Sequence, residues 1–158
     1  MERPTEKSNL KNTQNSFPMK KSLILLVIAL TFSQLSSFAQ STEKVHKIVF
    51  HLASSDTLVH KALSKQLSNV LDYWKNAQIE VVIHNNGVNY MQIKETKNAK
   101  EIEALKARGV TFAVCENTLK QRKIEKSAIL PQAIFVPVGI AELVLKQEDG
   151  WADIKAGF

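Results

Sequence analysis

The stretch TFAVCENTLKQRKI, Thr111 to Ile124, decides the fold: a short apolar run ends at the chain's one cysteine, Cys115, and a basic, helix-like segment follows at once. Alternation along Thr111, Ala113 and Cys115 suits a strand face packed under a helix. Asn117 or Thr118 supplies the short polar side chain that caps a helix start by accepting a free backbone amide. A strand passing directly into a helix is the building block of a parallel sheet, so the rest of the chain is read for its repeats.

Upstream, KIVFHLA (Lys47 to Ala53) is apolar and β-branched, the composition of a strand buried on both faces. The SSD that follows is a helix-start signal. From Thr57 to about Asn76, Val59, Leu63, Leu67, Val70 and Trp74 recur every three or four residues, one apolar face of an amphipathic helix. QIEVVIHN (Gln78 to Asn85) is a second strand, ended by Asn85 to Gly87, residue types that tolerate positive φ. Asn98 and Glu101 predict a capping pair for a helix through Ile102 and Leu105, which Gly109 stops. Downstream, AIFVPVG (Ala133 to Gly139) is a fourth strand, IAELVLKQEDG (Ile140 to Gly150) a last helix, and WADIKAGF a short final strand or tail. Four alternations of strand and helix predict one α/β domain, doubly wound, Rossmann-like and three-layered, on a mainly parallel sheet of four to five strands.

The N-terminus reads as an address. MKKSLILLVIALTFSQLSSFAQ (Met19 to Gln40) has a positive start at Lys20 and Lys21, an apolar run from Leu23 to Phe32, and a small-x-small site at Ser37-Phe38-Ala39. The run is about half the length of a permanent membrane helix, so the expectation is cleavage after Ala39 and export to the periplasm or beyond, with no stable membrane span afterwards. Residues 1–18 are polar, and Met19 is the better start for such a signal. The mature domain, 40–158, holds 119 residues and a net charge of +3. That size supports a real core, and that charge is no nucleic-acid footprint. One cysteine forbids an internal disulfide, so packing must hold the domain together.

Sites in doubly wound folds gather at the carboxyl ends of the strands. His51, Asn85, Asn86, Gly87, Cys115 and Gly139 all fall at or near such ends, and the residues after Cys115, Asn117 and Thr118, offer helix-start amides. A thiolate at Cys115 would gain from those amides and from Lys120, Arg122 and Lys123, with Glu116 opposing. The competing reading is an inert core cysteine, since cysteine is among the most buried residue types. His51 and His84 with Cys115 could suggest a metal, but the spacing provides no local ligand motif, so neither a metal nor any other cofactor is expected. His46 sits in a linker and His60 on the polar side of the first helix. No glycine-rich dinucleotide fingerprint and no GxSxG nucleophile elbow is present.

KIVFHLASSD, IEVVIHNNGVNYM, the Cys-Glu-Asn-Thr-Leu after the third strand and the ending GIAELVLKQEDGW together resemble the DsrE/DsrF-like (YchN-like) sulfur-relay family, from about Lys47 to Ala156. The resemblance implies a small doubly wound domain assembling into homotrimers or homohexamers. It also implies a sulfur carrier that holds a persulfide on Cys115 and exchanges it with donor and acceptor proteins. Relay in this family is cytoplasmic where best understood, whereas this chain carries an export signal. A non-catalytic homo-oligomeric binding module, with Cys115 in the core, is the alternative.

Overall fold

The computed structural model describes residues 44–157. Residues 1–18 and the expected leader at 19–39 lie outside them. The chain alternates β1 (Lys47–Leu52), α1 (Thr57–Tyr73), β2 (Gln78–Ile83), α2 (Ala99–Ala107), β3 (Thr111–Cys115), α3 (Glu116–Arg122), β4 (Ala133–Val136), α4 (Gly139–Glu148) and β5 (Ala152–Lys155). Short 3₁₀ turns at Asn85–Tyr90 and Lys126–Ala128 occupy the connections. All five strands are parallel, in the order β4-β3-β2-β1-β5.

Two unequal cores follow from the two faces of that sheet. Ile48, Phe50 and Leu52 of β1, Ile79, Val81 and Ile83 of β2, and Phe112 and Val114 of β3 point to one side. There they meet Val59, Leu63, Leu67 and Leu71 of α1, Ile102 and Leu105 of α2, and Leu119 of α3. On the other side Val49, Val82, Ala113 and Val136 meet Leu143 of α4, with Trp151 at the margin. Helices thus cover both faces, giving the three layers the alternation predicts, but among the described residues one helix alone covers the second face.

That thinly covered face also holds a charge. Glu80 of β2 is buried, and its Oε2 accepts from Lys146 Nζ of α4 at 2.8 Å. Lys146 reaches Glu142 at 3.5 Å and lies 4.5 Å from the centre of the Trp151 ring. Burial raises the Glu80 carboxyl above its ordinary range despite the pairing. The Lys146 ammonium is also raised: burial opposes its charge, and the carboxylate bond overcomes that.

Local signals hold in some places and fail in others. Asp56 caps α1, its side chain accepting from the Leu58 amide at 2.8 Å. Asn85 takes the positive φ, 49°, at the end of β2. Asn98 makes no side-chain cap on α2, contrary to expectation; its own amide donates to Thr96 Oγ1 at 3.1 Å. The cap of α3 is Cys115 itself, not Asn117 or Thr118, because the helix begins one residue after the strand ends. His60 is buried rather than polar-facing: its ring lies edge-on to Tyr90 and its Nε2 meets the Ser54 carbonyl at 2.8 Å. A histidine can join an apolar face when a backbone carbonyl satisfies its polar tip. Tyr90 is buried too, hydrogen-bonded to Ser64 at 2.7 Å, and burial pushes its hydroxyl up to about 12.

Candidate functional site

The connections after β3 and β4 leave the sheet in opposite directions. α3 lies on the face of the large core and α4 on the other. Between two such neighbouring strands the loops part and leave a crevice at the carboxyl ends, the usual ligand position in open α/β sheets. Cys115 ends β3 there, in register with Val136 of β4, and Gly139 opens α4. A pocket of about 200 Å³ at this point is lined by Cys115, Asn117, Thr118, Val138 and Gly139, with His84 and Ile140 at its sides.

Gly139 makes the close approach that joins the two elements. A Cβ there would stand 3.2 Å from the Cys115 Cβ and 3.3 Å from the His84 Cβ, tighter than ordinary contact. Without one, the Gly139 amide reaches the sulfur and donates to Cys115 Sγ at 3.2 Å. Pro137, just before it, accepts the Asn117 amide at 3.3 Å, tying the start of α3 to the end of β4.

Cys115 is 5 % exposed. Burial alone would raise its pKa, yet the net direction is downward. Hydrogen bonds from the Gly139 amide, from the Thr118 amide and side chain, and from the Asn117 amide outweigh the desolvation. This is the arrangement of an anion hole, built of backbone donors that cost no reorganisation when charge appears. The basic residues play a smaller part than their proximity in sequence implies. Arg122 donates to the Asn85 carbonyl and to Asn86 Oδ1, both at 3.2 Å. Glu116, the nearest unfavourable charge, is paired with Lys126 at 2.5 Å.

Of the residues picked out in the sequence, His84, Asn85, Cys115, Asn117, Thr118 and Gly139 come together. His51 reaches them only through His84, which it contacts through its ring. Asn86 and Gly87 do not join. Asn86 is an exposed partner of Arg122, and Gly87 is packed so closely on the Leu52 carbonyl that its role is to let the chain pass. Gln121, Val138 and Ile140 line the pocket without having been predicted, since residues beyond a strand end carry no distinctive sequence signal. Among the described residues no group of three histidine, cysteine or acidic side chains converges as a metal site, so Cys115 does not complete the pair of histidines. Nor is any helix among them long and apolar enough to cross a membrane.

The chain is a doubly wound, parallel α/β domain with a hydrogen-bonded thiol at its switch point. The DsrE/DsrF-like family model matches residues 26–156, and the chain belongs to that family. Among solved structures it is similar to the protein of unknown function MTH1491 from Methanobacterium thermoautotrophicum, at 27 % identity and a TM-score of 0.66. That similarity covers 70 % of this chain and 98 % of that one. No curated protein matches it.

Proposed function

We propose that the protein carries sulfur as a persulfide on Cys115. The observation that supports this most directly is the Gly139 amide donating to Cys115 Sγ at the switch point, where the thiol's pKa is lowered despite burial. The Cys115 thiolate attacks the outer sulfur of a donor persulfide; a new S–S bond forms at Cys115, the donor's S–S bond breaks, and the donor leaves as a thiolate. Delivery to an acceptor thiolate is the same exchange in reverse, so no external oxidant or reductant enters. One cysteine suffices because donor and acceptor are separate proteins. A pocket of about 200 Å³ suits a small sulfur species or the tip of a partner's side chain, not a nucleotide.

The proposal includes export through the leader at 19–39 and assembly as a homotrimer or homohexamer. Assembly draws support from Ile134, Val138, Ile140 and Val144, exposed apolar residues on the side of the sheet that α4 covers. A second reading, a non-catalytic oligomeric binding module, is favoured by the 5 % exposure of Cys115. Persulfide trapping after incubation with a low-molecular-weight persulfide separates them. Wild type acquires one labelled sulfur per chain and Cys115→Ser none; equal labelling of the two removes the carrier mechanism.

A further inference from the structure

On the face of the sheet that carries the large core, α1 and α2 stand side by side. Lys61, Ser64, Lys65 and Ser68 form one stripe of α1, and Asn98, Glu101, Leu105 and Arg108 form one stripe along α2, at the three- and four-residue spacing that puts side chains on one helix face. Ser64, Ser68 and Ala104 are small where the helices adjoin, so the longer side chains enclose a cleft of about 320 Å³. That is larger than the crevice at Cys115 and within the range of small-molecule sites.

Asn98 is the unexplained group in this cleft. It is 6 % exposed, yet its side chain makes no cap on α2. Its backbone, at φ −116° and ψ 19°, lacks the extended geometry that turns a capping side chain onto the first amides. Among the described residues the carboxamide has no hydrogen-bond partner, and it lines the cleft. Buried polar groups are ordinarily paired, so it marks the place of a ligand group that accepts and donates. At the other end Arg108 is held in place, Nη1 donating to Ser68 Oγ at 2.9 Å and Nη2 to Asp72 Oδ1 at 2.7 Å. Those bonds use two of its five N–H groups and leave the Ser68 hydroxyl hydrogen free to donate. Lys61 and Lys65 add two ammonium groups. Asp72 offsets part of the Arg108 charge, and Glu101 is the one carboxylate lining the cleft among the described residues. Donors therefore predominate near Arg108, while Glu101, one turn from Asn98, disfavours a second negative charge at that end.

We propose that the cleft between α1 and α2 binds a small carboxylate with an apolar body and one neutral amide or hydroxyl group, the chemistry of an N-acylated amino acid. The carboxylate takes charge-assisted bonds from Arg108 and Ser68, with Lys65 beside them. The apolar body lies on Leu105, which is buried, and on Ala104. The neutral group pairs with the Asn98 carboxamide. Ser64 is already bonded to Tyr90 at 2.7 Å and serves as wall. Neither the thiol nor any other residue of the Cys115 crevice takes part.

The test titrates the purified protein with N-acetylleucine and follows amide and side-chain nitrogen resonances. The expected result is saturable binding that shifts the Asn98 carboxamide, the Arg108 Nε and the Leu105 amide. N-acetylleucinamide, which keeps the body and lacks the charge, should bind about tenfold more weakly or worse, and Arg108→Gln should weaken N-acetylleucine binding by a similar factor. Asn98→Ala should weaken it several-fold, because one hydrogen-bonded group is lost. If Arg108→Gln does not fold without its bonds to Ser68 and Asp72, Asn98→Ala carries the comparison, since that carboxamide holds no other element in place. Absence of saturable binding, equal binding of the uncharged amide, or binding unchanged by Asn98→Ala would each overturn the assignment. Cys115→Ser should bind as wild type does, so none of these results bears on persulfide transfer.

Discussion

At the scale of single residues, the site depends on the absence of a side chain at Gly139. Gly139→Ala would push a methyl against the Cys115 and His84 Cβ atoms, at a cost of about 1–3 kcal/mol for overpacking. Chemical denaturation measures that loss, and the thiol's titration midpoint should rise in the same variant as the amide moves off Sγ. Thr118→Val tests the second donor more gently, because the two side chains have similar shape. It removes the hydroxyl that bonds Cys115, so alkylation at neutral pH should slow several-fold; it also leaves the Asn85 amide without its Thr118 Oγ1 acceptor at 3.0 Å. A thiol whose pKa is lower folded than unfolded stabilises the fold fully above the unfolded value of about 8.5, and that contribution is lost as pH falls through the folded value. Wild type should therefore gain stability relative to Cys115→Ser as pH rises from about 7 to about 9. A flat difference across that range would show that the thiol's pKa does not change on folding.

At the scale of elements, α4 is the lone helix on its face among the described residues and is held there by Leu143 and by the Lys146–Glu80 pair. Lys146→Met leaves the Glu80 carboxylate buried without its partner and should cost about 3 kcal/mol or more, whereas Glu80→Met with Lys146→Met should recover most of that loss. Unfolding curves of the two variants check it; equal losses would mean that the charge pair is not what matters there. The strands were legible in the sequence, because runs such as KIVFHL and TFAVC are too short and too β-branched for anything else. The first helix was legible through Val59, Leu63 and Leu67. His60 was misread because hydropathy scores its ring as polar, and only the fold supplies the Ser54 carbonyl and the Tyr90 edge that make its burial tolerable. The cap of α3 was misread by two or three residues, because the turn from β3 is tighter than a polar side chain would require.

At the scale of the whole molecule, the strand order places Cys115 beside Gly139, and strand order is what periodicity along a chain does not contain. The sequence put both residues at strand ends; the crossing of α4 to the far face makes them neighbours. Gly87 and Asn86 fell away because the turn after β2 packs Gly87 onto the Leu52 carbonyl and leaves Asn86 exposed beside Arg122, although His84 at the end of β2 still reaches the pocket. Assembly belongs to this scale as well. Light scattering on the purified protein should give three or six chains, and Ile140→Glu with Val144→Glu should yield monomers, because both side chains are about half exposed on α4. A wild-type monomer would contradict the proposed assembly. The central claim, a thiolate held and reachable at the switch point, is tested most directly by the pH dependence of Cys115 alkylation in the folded protein, read by intact mass against denatured protein. The account predicts fast modification that persists well below the ordinary thiol pKa of about 8.5. Modification only on unfolding would contradict it and make Cys115 part of the core.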